Sequence, residues 1–98
     1  FLPDPGEGPS KSEREAGFYK FHFYTTLSDD SKILGVVTGD KDPGYGSTSK
    51  MIAESAVCLV LNPELASGGI WTSAPAMGSA LIERLQANAG LTFAVEAE

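Results

Sequence analysis

Apolar and polar positions first alternate between Gly17 and Thr26, in GFYKFHFYTT. Tyr19, Phe21 and Phe23 share one face of an extended chain; Lys20, His22 and Tyr24 share the other. A period of two with aromatic residues predicts a half-buried strand. Residues 28–32, SDDSK, form a polar turn, and Lys32 to Thr38, KILGVVT, reads as a second strand. The short connection makes the pair an antiparallel hairpin.

The pattern then changes. Ser49 to Leu61 predicts a helix, and its second half, AVCLVL, is apolar all round, so burial on several sides is expected. Asn62-Pro63 ends it, because the residue before proline disfavours the α region. Residues 64–73 connect it onward through Gly68-Gly69 and Trp71. Thr72 or Ser73 caps the next helix, with Pro75 in its first turn. Ala74, Met77, Leu81, Leu85 and Asn88 fall on one stripe of it. Gly90 suits the position after its end, and Leu91, Phe93 and Val95 alternate as a last strand.

Residues 1–9, FLPDPGEGP, have linker chemistry. Ser10 to Glu13 is a capping-box pattern, and Gly17 is expected to close that short helix in a left-handed conformation. The order β-β-α-α-β over residues 10–98 predicts an α+β domain: a mainly antiparallel sheet with helices packed on one face.

Composition narrows the function. The 98 residues suffice for one domain with a modest core. A net charge of −6, with seven scattered Lys and Arg, argues against nucleic acid and against an anionic membrane surface. Cys58 is the single cysteine, so no intramolecular disulfide forms; this fits a reducing, cytoplasmic setting. The longest apolar run, Ala56 to Leu61, is far too short for a membrane span, and no secretion signal is visible. The chain opens at Phe1 and its first methionine is Met51, which suggests a piece cut from a longer chain, or else a processed protein.

The Gly-rich stretch GDKDPGYGST, residues 39–48, raises the question of a phosphate site. Gly39 to Gly44 has P-loop spacing, but Tyr45-Gly46 follows where Lys and a hydroxyl residue belong, and no dinucleotide fingerprint is present. Asp40 and Asp42 repel phosphate. The favoured reading is a turn closed by Pro43-Gly44, with Ser47 or Thr48 capping the helix; the alternative is a loop presenting Tyr45 and free amides to a neutral or carboxylate ligand. His22 has no same-face carboxylate to orient it and reads as solvent-facing. Cys58 reads as core, and one Cys with one His makes no zinc site. Asp29, Asp30, Asp40 and Asp42 lack the spacing of a calcium loop. Trp71 is either a binding aromatic or a plug between helix and sheet.

Three landmarks carry a family resemblance: Asp42-Pro-Gly-Tyr45 with Thr48 and Met51; Glu54-Ser-Ala56; and Gly68-Gly-Ile with Thr72, Ala76-Met-Gly78 and Leu81 to Leu85. With PGEGPS (residues 5–10) and REAGFYKFHF (residues 14–23), the match spans nearly the whole chain from about Gly6 onward. In these stretches the sequence resembles the C-terminal region of saccharopine dehydrogenase-like oxidoreductases, the broad family that includes trans-acting enoyl reductases. It departs from the family at Thr72-Ser73-Ala74, where Thr-Pro-Ala is usual and Pro75 stands displaced. The resemblance implies a Rossmann domain that binds NAD(P), N-terminal to this region and outside these residues. It also implies that this region walls the substrate cleft or forms a dimer. Asp42, Gly44, Tyr45, Thr48 and Thr72 are then the cleft candidates, with no catalytic, cofactor or metal residue in this stretch. The competing readings are a non-catalytic binding or dimerisation module and, third, a small enzyme built on His22. Apolar surface is expected on the second face of Lys32 to Thr38 or on the outer side of the helix at 51–61, with a symmetric homodimer as its outcome.

Overall fold

A computed structural model describes residues 4–64 and 67–97. The elements are α1 (Lys11–Ala16), β1 (Tyr19–Thr26), β2 (Lys32–Gly39), α2 (Gly46–Leu61), α3 (Ser73–Asn88) and β3 (Leu91–Ala97). The expected α+β order is present, and the sheet is antiparallel with β2 in the centre, in the order β1-β2-β3. Residues 1–3 of the expected linker and 65–66 of the connection lie outside the described residues.

Register follows from the alternation. Phe21 pairs with Val37 and Val37 with Phe93, so the three side chains form one row on the inner face. His22, Val36 and Ala94 form the corresponding row on the outer face. The core lies where the helix pair meets the start of β3: Cys58 from α2, then Ala76, Met77, Leu81, Leu85 and Ala89, with Leu91. Gly90 takes φ +70, a conformation that glycine adopts without penalty, and turns the chain from α3 into β3.

Several expectations are corrected. The Ser10–Glu13 capping box forms, but Gly17 ends α1 in extended backbone at φ −65. Glycine is needed there for a different reason: a Cβ would sit 2.8 Å from the Asp42 backbone. The second helix starts at Gly46 rather than Ser49, and neither Ser47 nor Thr48 caps it. It is not buried on several sides: Ser47 and Cys58 are its buried residues, whereas Ile52 is 69% and Val60 77% exposed. On α3 the stripe holds at Met77, Leu81 and Leu85, but Ala74 and Asn88 are exposed and Ala76 is buried instead. The outer face of β2 is not an open apolar patch, since Val36 there is buried. Both sheet faces carry exposed residues: Phe23 is 56% and Val95 76% exposed on the inner face, and Tyr24 is 74% exposed on the outer one. The outer side of α2 is exposed as expected.

Candidate functional site

The turn before α2 is organised by one side chain. The Asp42 carboxylate accepts hydrogen bonds from the amides of Gly44 at 3.2 Å, Tyr45 at 2.7 Å and Gly46 at 2.9 Å. The Asp42 carbonyl accepts from the Ser47 amide at 2.7 Å, and the Thr48 hydroxyl donates to the Pro43 carbonyl. These amide bonds, Gly46 foremost, hold the Asp42 carboxyl below its ordinary value, helped by the nearby Arg14 guanidinium. The amides a phosphate would need are therefore taken, and an anion already stands where the phosphate would lie. The residues do not fit a dinucleotide, and the loop is a strand-to-helix turn.

The structure gathers Asp42, Gly44, Tyr45 and Thr48 in this one turn. Tyr45 and Thr48 are exposed, and the Gly8 backbone runs beside the Tyr45 ring. Thr72 is elsewhere: it precedes α3, and its side chain makes no capping bond. His22 is exposed on the outer face, its ring edge-on to Tyr24. Cys58 is fully buried. Asp29 accepts from the amide and hydroxyl of Ser31, which lowers its carboxyl pKa and closes the hairpin turn. Among the described residues no group of three His, Cys, Asp or Glu could hold a metal. Trp71 does not plug the gap between helix and sheet: no sheet residue lines the cavity it borders. Its indole donates to the Ser67 carbonyl, and it borders a 350 Å³ cavity with Leu59 and Met77, beside the helix pair.

The second landmark has a structural role too. Glu54 on α2 meets Arg84 of α3 at 2.7 Å and accepts from Asn88 at 3.1 Å. This partly buried bridge ties the two helices together.

A large apolar concavity was not anticipated. A trough of about 480 Å³ lies between the inner sheet face and α3. Phe21, Val37 and Phe93 belong to its sheet side; Gly78, Leu81 and Ile82 belong to its helix side. Tyr19 and Ser73 are the polar side chains in its lining. The Tyr19 hydroxyl is fixed at 2.8 Å from the fully buried Ser47 hydroxyl, and the ring crosses Gly39 so closely that a Cβ there would lie 2.2 Å from it. Gly78 breaks α3 at φ 52, ψ −134, and a Cβ there would meet nothing within 4 Å. The sequence signal was a glycine inside a helical pattern. A neighbouring 370 Å³ cavity shares Phe23, Val37, Ile82 and Phe93 with the trough and continues it toward Gly35 and Val95.

The molecule thus defines a class: a small antiparallel sheet, a helix pair on one side, and an apolar trough between them, with its Gly-rich loop spent on a turn. Comparison with known proteins adds the following. A protein of Mycobacterium tuberculosis H37Rv, provisionally named a trans-acting enoyl reductase, is 42% identical over 88 residues. That alignment covers 88% of this chain and 21% of the relative. The trans-acting enoyl reductase of Mycobacterium ulcerans is 39% identical over 85 residues, covering 85% of this chain and 20% of the relative. That of Mycobacterium bovis BCG is 36% identical over 85 residues, with the same coverage. The chain therefore spans about a fifth of the length of these relatives. No protein-family model matches the chain, and no solved structure matches it.

Proposed function

We propose that residues 10–98, after the linker 1–9, are the C-terminal portion of an NAD(P)-dependent, saccharopine dehydrogenase-like oxidoreductase that reduces enoyl groups. The observation that carries this reading is similarity over nearly nine-tenths of the chain to proteins bearing the enoyl reductase name and about four times its length. The Gly-rich loop has its amides bound to Asp42, which supports assigning cofactor binding and hydride chemistry to the rest of such a protein. This portion supplies contact surface and one wall of the substrate cleft, and is inactive alone.

Surface area supports the reading. The chain exposes 7206 Å², about 1,800 Å² more than the roughly 5,400 Å² of a compact monomer of its mass. A standard interface removes only about 800 Å² per partner. The outward stripe of α2 (Ile52, Ala56, Val60, with Val57 and Leu61) is convex, apolar and uncharged, as a protein-covered helix should be. Its proposed cover is the nucleotide-binding domain of the same protein; a second copy of the chain is the other reading that this stripe favours.

Titration calorimetry with NADH and NADPH tests the proposal. Binding is expected for the longer protein and not for the 98-residue chain; binding by the chain itself, or by neither, overturns it. In the longer protein, Tyr45→Ala combined with Thr48→Ala is expected to lower kcat/KM about tenfold. An unchanged value removes the loop from the cleft.

A further inference from the structure

We infer that the trough between α3 and the inner sheet face binds the saturated tail of an acyl thioester, so that this portion of the protein reads acyl-chain length. The inference rests on the enoyl-reducing reading above for the chemistry of the substrate, and on the geometry for the place. An enoyl group is an unsaturated acyl group, and whatever extends beyond its double bond needs an apolar seat. The two apolar surfaces of this chain differ in shape. The α2 stripe is convex and suits a protein cover. The trough is concave, and its 480 Å³ lies within the roughly 300–1,000 Å³ of small-molecule sites. Its lining is apolar apart from Tyr19 and Ser73, and the Tyr19 hydroxyl is already satisfied by Ser47. Ser73 is then the lining hydroxyl left for a polar contact, and the rest of the lining selects an apolar ligand.

The form is that of a slot rather than a pit. From Leu91 to Val95 the inner face runs about 14 Å along the strand direction, and the adjoining 370 Å³ cavity carries the apolar lining to that far end. The Gly78 break keeps the slot open: no side chain projects there, and the backbone departs from the helical path. Ala74 and Ile82, the former small and both exposed, stand on the α3 side, where added bulk would narrow the slot.

The test uses saturated acyl N-acetylcysteamine thioesters, which the proposed chemistry cannot reduce. Their Kd for the 98-residue chain is measured by titration calorimetry. Octanoyl is expected to bind at least about tenfold more tightly than butanoyl, since each buried methylene contributes up to about fourfold. Ala74→Phe and, separately, Ile82→Trp are expected to weaken octanoyl about tenfold and to leave butanoyl unchanged. Two variants on different turns guard against one failing to fold, which circular dichroism reports. Equal affinity for both thioesters, or an octanoyl preference that neither folded variant alters, overturns the inference. A parallel assay of NADPH-dependent reduction of but-2-enoyl thioester by the longer protein separates the two proposals. If reduction is absent but the chain-length effect and its loss persist, the enoyl reading falls and the trough stands. If reduction is present without a chain-length effect, the trough inference falls.

Discussion

Asp42 shows how one side chain decides what a loop can be. It holds three successive amide donors, so the glycines at 44 and 46 serve a turn and not a ligand. Asp42→Ala releases those donors and is expected to lower Tm by about 5 °C at neutral pH, as loss of a helix-terminal cap does in a domain of this size. The folded carboxyl titrates below its ordinary 3.8, so its contribution is complete above that value and drains as pH falls through the lower folded pKa. The Tm gap between protein and variant should therefore close on acidification below about pH 4. A gap that stays constant to pH 3 in thermal melts contradicts this. Tyr19 offers a second case. Gly39→Ala must push the ring off the strand as well as strand the buried Ser47 hydroxyl, at about 3 kcal/mol, whereas Tyr19→Phe strands that hydroxyl without moving the ring, at about 1–2 kcal/mol. Urea titration of both variants checks the order.

At the level of elements, the legible features were those with local causes. The hairpin follows from alternation in FYKFHFY and from the Asp29–Ser31 turn, both contained in a few neighbouring residues. The α1 capping box and the Gly90 turn are equally local. The start of α2 was misplaced because Ser47 and Thr48 look like caps, while the residue that binds the first-turn amides stands upstream of a proline. The Gly78 break had only a lone glycine as its signal, inside a pattern that stays helical on either side, and the trough formed by α3 and the sheet needs tertiary placement to exist at all. The family landmarks mark architecture more than chemistry: Asp42 holds a turn, Glu54 and Arg84 join two helices, and Gly78 breaks one. Glu54→Ala leaves a partly buried guanidinium unpaired, on an Arg84 whose Nε already lacks a partner, and is expected to cost about 1–2 kcal/mol. A chemical-denaturation midpoint unchanged from the parent protein overturns that assignment.

For the whole molecule, a radius of gyration of 16.3 Å compares with about 13 Å for a compact chain of this length. The all-round apolar AVCLVL segment records a demand for cover that the helix pair does not meet. The 98-residue chain is accordingly expected to self-associate in sedimentation equilibrium, and replacing Ile52 and Val60 with Glu should return it to a monomer. A monomer throughout the accessible concentration range contradicts the reading of α2 as a covered face. Among the described residues no helix is long and apolar enough to cross a membrane. The sheet order carries a consequence in time. β1 and β2 are joined by a short turn, but β3 must reach β2 across both helices, a connection running from Gly39 to Leu91. The hairpin can close on a timescale of about microseconds, whereas docking of β3 awaits closure of the long helical loop. Weakening the Asp29–Ser31 turn should thus slow refolding, while trimming Phe93 should mainly hasten unfolding. The last strand is thus expected to act as the latch of this molecule, the last part to catch.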